Sequence, residues 1–362
     1  MHEFTRPSSV RSVVRVTGNY TSETPLHPAA MDALQAAFEQ GWADPKKISQ
    51  SAARAAILRN QSLENIASRL GLSAGEIEII GEPTLGHYLG IAGFLHEAPT
   101  FAFSATDKGK IRALARSAST DSIEYPVSQN GHILIEQRPT TPTVLSLQLA
   151  NSETGVIQEL AQNEETLASF SHIAVDATAS GPRLPLPPIW SSALFDALSW
   201  GGPGGLGVLA IRSSSYKYPL PHLAPIKTPG SYSLPLLIAA AVALENFQEE
   251  DHSLRDFAVQ ELSSLKALTV IAPTVASLPH KLSLIVEGVA GEQLVRVLDS
   301  KGISIDSGSA CSPADLQPSH VLAAMGYPTT GHLRLTLHGG VTVSDIHTLK
   351  SALENTLVEL SR

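Results

Sequence analysis

The sequence predicts an α/β protein in which a largely parallel, helix-covered sheet precedes a smaller α/β unit. Two observations carry that expectation. Short apolar runs alternate with helix-period stretches through most of the chain, the pattern of strands joined by crossover helices. After Ser231 the character shifts to long helical stretches separated by isolated strands. With 362 residues, 43% of them hydrophobic and 16% charged, the chain is long enough to bury a substantial core in two domains or one large one.

In order, residues 24–42 read as a helix with Pro28 suited to its first turn. Residues 51–70 form a second, closed by Gly71. Strand-like runs follow at 76–80, 100–104, 122–126, 143–148, 172–176, 195–198 and 207–211, seven in all. Helical stretches at 84–95 and 108–117 separate some of them. Then come helices at 234–248 and 253–267, a strand at 281–286, a helix at 291–300 and a strand at 302–306. A helix at 318–325, a strand at 332–337 and a last helix from Val343 complete the chain. The expected organisation is an N-terminal segment (1–23), a large domain (24–240) and a small C-terminal domain (241–362).

Composition excludes several functions. The 34 acidic residues outnumber 25 basic ones, for a formal charge of -9, and no Lys/Arg-rich tract exists to displace counterions from a nucleic acid. Cys311 is the single cysteine, so no intramolecular disulfide is possible and nothing points to an oxidising compartment. Residues 1–11 are polar and unlike a signal peptide, and the longest apolar run, 234–244, is too short to span a bilayer. A soluble cytoplasmic protein with no membrane partner and no metal site is expected.

Three stretches look unlike plain core. Cys311 lies among small residues in Ser307-Gly308-Ser309-Ala310-Cys311-Ser312, where a thiolate would be a nucleophile, although most free cysteines are small buried hydrophobes. Asp176 ends an apolar run, and the carboxyl end of a parallel strand is where open α/β sheets bind ligands; a helix cap is the commoner fate of Asp. Asn151-Ser152-Glu153-Thr154-Gly155 follows another strand and reads alternatively as turn chemistry.

Together, their order is specific. Asn151 to Gln158 resembles the Asn-Asn-Glu-x-Gly-x-x-Gln stretch of cysteine desulfurases, and 172–178 with Arg183-Leu184-Pro185 resembles their cofactor-aspartate segment. Residues 307–312, followed by Pro318-Ser319-His320 and Met325-Gly326, resemble their sulfur-carrying loop, and 333–337 their arginine-bearing strand. The resemblance runs in order from about Thr24 to the carboxyl terminus. It implies the pyridoxal-phosphate transferase fold type I, with a large domain built on a mostly parallel seven-stranded sheet.

The resemblance also implies roles. Cysteine desulfurases convert cysteine to alanine and hold the sulfur as an enzyme persulfide for iron–sulfur cluster assembly and other uses. By that likeness Asp176 pairs with the pyridine nitrogen, Asn151 bonds the ring hydroxyl, and Thr84, Thr178 and Ser233 belong to the cofactor pocket. Ser233 would address the phosphate from across a dimer interface. Arg334 clamps the substrate carboxylate, and Cys311 attacks the substrate sulfur.

The departures matter more. The family's Schiff-base lysine sits in a Ser-Gly-His-Lys segment before a Gly-Pro-Lys-Gly turn; the matching residues, 198–207, contain no lysine. None occurs between Lys110 and Lys217. The phosphate cup corresponds to Gly81-Glu82-Pro83-Thr84, where Pro83 removes a donor and Glu82 adds a like charge. The ring-stacking histidine aligns with Asp107, a glutamine with Ala179, and a phosphate-binding arginine with Gly230.

Three readings result. The leading one is a desulfurase-like protein without pyridoxal-phosphate catalysis and with no cofactor expected. It would carry persulfide on Cys311, or act as the homodimeric or heterodimeric partner of a desulfurase-fold subunit, with a sulfur-acceptor protein as a further partner. The second is an active desulfurase holding the cofactor non-covalently or through a relocated amine, Lys108, Lys217 or Lys227. The third is a repurposed pocket in which Arg334 binds another carboxylate.

Overall fold

The computed structural model describes residues 18–39, 43–117, 121–221, 233–308 and 318–360. A short strand, β1 (Asn19–Tyr20), precedes helices α1 (Pro28–Glu39) and α2 (Gln50–Arg69). Pro28 opens α1, where its missing N–H is no loss. Ser49 caps α2 by accepting from the Ala52 N–H at 3.0 Å, and Gly71 leaves it in the left-handed region at φ +70°.

Alternation then begins: β2 (Ile77–Ile80), α3 (Pro83–Ala92), β3 (Thr100–Ser104), α4 (Gly109–Ser117), β4 (Asp121–Tyr125), β5 (Thr143–Gln148), α5 (Glu164–Leu167), β6 (His172–Asp176), β7 (Ser192–Asp196) and β8 (Gly207–Ile211). These seven strands form one sheet in the order β2-β8-β7-β6-β5-β3-β4. It is parallel except at β8, which runs against both neighbours. Every residue of β5 and β6 is buried, as expected for parallel strands covered on both faces. Edge strand β4 instead exposes Asp121 and Glu124, charges that discourage pairing with another chain.

Helix α6 (Leu234–Glu245) packs on α1 and α2, and Trp200 ties it to the sheet by donating Nε1–H to the Ala240 carbonyl at 3.1 Å. Next follow α7 (His252–Ser263), β9 (Leu268–Val270), β10 (Lys281–Val286), α8 (Gly291–Ser300), β11 (Ser304–Ser307), α9 (His320–Ala324), β12 (His332–Thr336) and α10 (Val343–Leu360). The second sheet has the order β1-β11-β12-β10-β9, so the N-terminal strand is built into the C-terminal sheet. One face of this sheet packs Leu282, Leu284, Leu333 and Leu335 into a core with α7, α8 and α10. Alternation puts Lys281, Ser283, His332, Arg334 and Thr336 on the other.

The sequence expectations shift in places. The run expected at 195–198 is strand only to Asp196; residues Ala197–Trp200 form a 3-10 turn, and the strand begins earlier at Ser192. The strand expected at 302–306 lies at Ser304–Ser307, because Gly302 holds φ +76° and completes the turn after α8. Among the described residues no helix is long and apolar enough to cross a membrane.

Candidate active site

The carboxyl ends of β3, β5 and β6 converge on one polar cluster. Asp176 closes β6 with 4% of its surface exposed. Its Oδ1 accepts from the Thr178 backbone N–H at 2.9 Å and the Thr178 hydroxyl at 2.5 Å. Its Oδ2 lies 3.3 Å from Lys108 Nζ and 4.0 Å from His87 Nδ1. Lys108 also donates to Thr178 Oγ1, so one amine bridges aspartate and threonine. Burial pushes the Asp176 pKa up; Lys108, His87 and the Thr178 donors outweigh it and hold the group at about 2. Burial pulls the His87 pKa below its ordinary value, more than Asp176 raises it. Lys108 is the first of the counter-charges that answer Asp176.

Beside this pair, the loop after β5 is organised by Asn151. Its amide donates to the Thr106 carbonyl at 3.1 Å and Gln148 Oε1 at 3.3 Å. Its carbonyl oxygen accepts from the backbone of Glu153 and Thr154, both at 3.0 Å, and from the Thr154 hydroxyl at 3.2 Å. Both donors and the acceptor are thus engaged by the chain itself. Asp107 is turned into the β3 loop, where Oδ2 accepts from the Ser104 N–H at 3.0 Å. Burial raises its pKa to about 7, with Asp176 adding to that and the Ser104 bond opposing it.

At the start of α3, Glu82 folds its carboxylate over the helix end and accepts from the Thr84 N–H at 2.7 Å. Thr84 is therefore capped by an acid of its own chain, and Pro83 has no N–H to offer. Between β7 and β8 the chain turns through Ala197–Trp200 and Gly201, at φ +72°, with Gly202 packed so closely on Ala197 that a Cβ would meet its carbonyl oxygen at 2.8 Å. Burial raises the pKa of Asp196, which precedes this turn, and Lys108 opposes that rise.

The polar face of the smaller sheet carries a second set of charged residues. Arg334 lies 4.0 Å from Asp306, its pairing neighbour on β11, and Lys281 donates to Thr336 Oγ1 at 2.9 Å. Burial lowers the Lys281 pKa to about 8, aided by Arg334, Arg183 and Lys108. Arg183, held by Glu250, also donates to the Ser199 carbonyl at 2.5 Å.

The structure thus joins Asp176, Thr178 and Lys108 in direct contact, sets Asn151 in the adjoining loop and puts Arg334 on the other sheet. Ser233 is the first residue before α6 and makes no side-chain cap there. Cys311, Lys227 and Gly230 lie outside the described residues. The flanks of the cysteine segment are described: Gly308 N–H donates to the His332 carbonyl at 3.2 Å, Ser319 to Glu153 Oε2 at 2.8 Å, and His320 Nε2 lies 2.8 Å from the Asp107 carbonyl. Lys217 is exposed. Among the described residues no cluster of acidic, histidine or cysteine side chains is arranged to hold a metal. Sequence reasoning missed His87, whose one available signal is its place three residues after Thr84 on the same helix, and Lys281, a lone cation opening an apolar strand.

Comparison with known proteins agrees with this fold. Residues 225–349 match the family described as aminotransferase class-V. The "Cysteine desulfurase IscS" of Dictyoglomus turgidum is 24% identical, with 94% of each chain covered. The "IscS-like cysteine desulfurase" of Mycobacterium tuberculosis is 26% identical over 95% of this chain and 96% of its own. Among solved structures, a "NifS-like protein" superposes with a TM-score of 0.84 at 21% identity, covering 95% of this chain and 100% of that one. A second, from Rickettsia africae, gives 0.79 at 19% identity, covering 94% and 99%.

Proposed function

This chain belongs to the class V aminotransferase group as a relative of the cysteine desulfurases, and from that premise we propose that it has left pyridoxal-phosphate chemistry and works as a sulfur carrier. The observation that carries the reading is the Lys108–Asp176 contact. A pyridinium nitrogen needs a carboxylate turned towards it; in this chain one oxygen of Asp176 takes Thr178 and the other faces Lys108. A phosphate needs free N–H groups at a helix start, and the Glu82 carboxylate already accepts from Thr84. The amide of Asn151 is engaged by the Thr106 carbonyl and Gln148 of this same chain. As arranged, these residues do not fit pyridoxal phosphate.

Lys108 is also poorly suited to replace the absent Schiff-base lysine. The aldehyde carbon of the cofactor is para to its ring nitrogen, so an amine seated on the nitrogen-facing carboxylate stands at the wrong end of the ring. Covalent catalysis depends on placement of the reacting amine, not on its mere presence.

What remains is exchange at Cys311. Its thiolate attacks the terminal sulfur of a donor persulfide; a new S–S bond forms to Cys311, the donor's S–S bond breaks, the donor leaves as a thiolate, and the transferred sulfur carries its proton across. No net oxidant is required. The donor would be a desulfurase-fold subunit, paired with this chain as a heterodimer, and the next acceptor a sulfur-accepting protein. Replacing Cys311 with Ser separates this role from a scaffold role, because a scaffold survives the change.

The reading is tested by the absorption spectrum of the purified protein before and after adding pyridoxal phosphate, with borohydride to trap any imine. Absence of a visible aldimine band and of a trapped lysine is the expected result. A band with one trapped lysine would return the chain to the active desulfurases, and the trapped position would name the relocated amine.

A further inference from the structure

A cleft of 410 Å³ opens between the start of α7 and the loop joining β9 to β10, lined by Ile157, His252, Arg255, Asp256, Thr274 and Ser277 among others. None of these belongs to the Asp176 cluster or to the row containing Arg334. Its size falls in the range of small-molecule sites. Arg255 is 3% exposed, and its Nε donates to the Lys281 carbonyl at 3.1 Å. Nη2 is buried and has no acceptor among the described residues. Burial works against the charged guanidinium, with Asp256 on the next residue favouring it. A buried charged donor without a partner is costly, and an arginine's planar fork is shaped to take two oxygens of one oxyanion.

The loop opposite is held in an unusual form. Ala272 has φ +45° and 3% exposure, a left-handed backbone in a residue that gains nothing from it, immediately before Pro273 in the cleft wall. Packing around Ala272 therefore fixes the cleft's rim.

We propose that Arg255 anchors a binding site for a small oxyanion, a carboxylate or phosphate group, outside the family's catalytic cleft. The guanidinium's unmatched edge takes the anion's oxygens, while Nε keeps its bond to the Lys281 carbonyl. Asp256, exposed beside it, opposes the anion's charge and limits affinity.

Isothermal titration of the full chain with inorganic phosphate and, separately, with succinate tests the site at constant ionic strength. One saturable site for at least one anion is expected below about 10 mM. The two arms decide between phosphate and carboxylate. Arg255→Gln should weaken binding about tenfold or more, Asp256→Asn should strengthen it several-fold, and Arg334→Gln should leave it unchanged. Because Arg255 also supports β10, the exposed Asp256→Asn variant guards against a merely misfolded result. No saturable binding of either anion overturns the proposal. So does equal affinity in a folded Arg255→Gln, an affinity unmoved by Asp256→Asn, or loss of binding with Arg334→Gln.

Discussion

Lys108 Nζ lies 3.3 Å from Asp176 Oδ2 at the carboxyl end of β6, and the two form an ion pair inside the site. The carboxylate is 4% exposed, so removing it from water is expensive unless a charge answers it. Lys108 is the first charge that answers it, with His87 and the Thr178 donors adding to its effect. The pocket is thereby electrostatically complete from within the chain.

Lys108→Met should therefore destabilise the protein by about 1–3 kcal/mol, less than for a fully buried pair because Lys108 is 28% exposed and water screens it. Lys108→Met combined with Asp176→Asn should regain most of that loss. Urea unfolding of both variants measures the difference. Equal losses in the single and double variants would show that Lys108 acts through something other than its charge.

The acidic range carries two opposed effects. Burial first, then Arg334, pulls the His332 pKa to about 3, well below the 6.5 of an unperturbed histidine. Between those values the unfolded chain holds a proton that the folded one does not, so stability is lost as pH falls from 6.5 towards 3. Asp107 is raised from 3.8 to about 7, so the folded chain holds the extra proton, and its contribution is lost as pH rises through that window. Asp107→Asn keeps an acceptor for the Ser104 N–H and removes this second effect. Its stability relative to the native protein should climb from pH 4.5 to pH 6.5 by up to about 1.4 kcal/mol per unit. Parallel pH curves for the two proteins would refute the assignment.

Much of the fold could be read from residue pattern because the central strands are buried on both faces. Residues 143–148 and 172–176 are continuous runs with no exposed side to blur their ends, and they occur as β5 and β6. Strand β7 begins at Ser192, ahead of the apolar run, because Ser191 and Ser192 are buried there and Ser192 donates to the Gly90 carbonyl at 2.7 Å. In the site, Asp176 was legible from its place at a strand end. Its pairing with Lys108 was not, since local pattern says nothing about which distant side chain fills a pocket. Glu82 was legible as a charge at the phosphate cup, but its turn onto the Thr84 N–H depends on backbone geometry no spacing reveals.

At the seam between the two sheets, Gly155 holds φ +78°, and a Cβ there would sit 2.8 Å from the Lys281 Cβ. The seam is stitched by the Leu278 N–H to the Gly155 carbonyl at 2.8 Å and the Ile157 N–H to the Ala276 carbonyl at 2.9 Å. Gly155→Ala meets both the backbone preference and the contact, and should cost about 2–4 kcal/mol. A melting temperature within a degree or so of the native protein's would mean that the seam yields freely.

Glu82 tests the phosphate cup without reference to catalysis. Its carboxylate accepts from the Thr84 N–H at 2.7 Å; the Thr84 hydroxyl first and this N–H second lower its pKa, with Lys110 adding a smaller contribution. Glu82→Ala removes the cap from α3 and should cost about 0.5–1 kcal/mol, at the low end because the acid is exposed. The same change frees the Thr84 N–H at the positive end of α3 and removes the repulsion that an incoming phosphate would meet. Inorganic phosphate should then shift the Thr84 amide resonance in Glu82→Ala but not in the native chain. Equal shifts in both would show that Glu82 does not close the cup. No shift in either would place the obstacle at Pro83, whose ring offers no N–H, and would leave α3 unable to bind phosphate whatever residue precedes it.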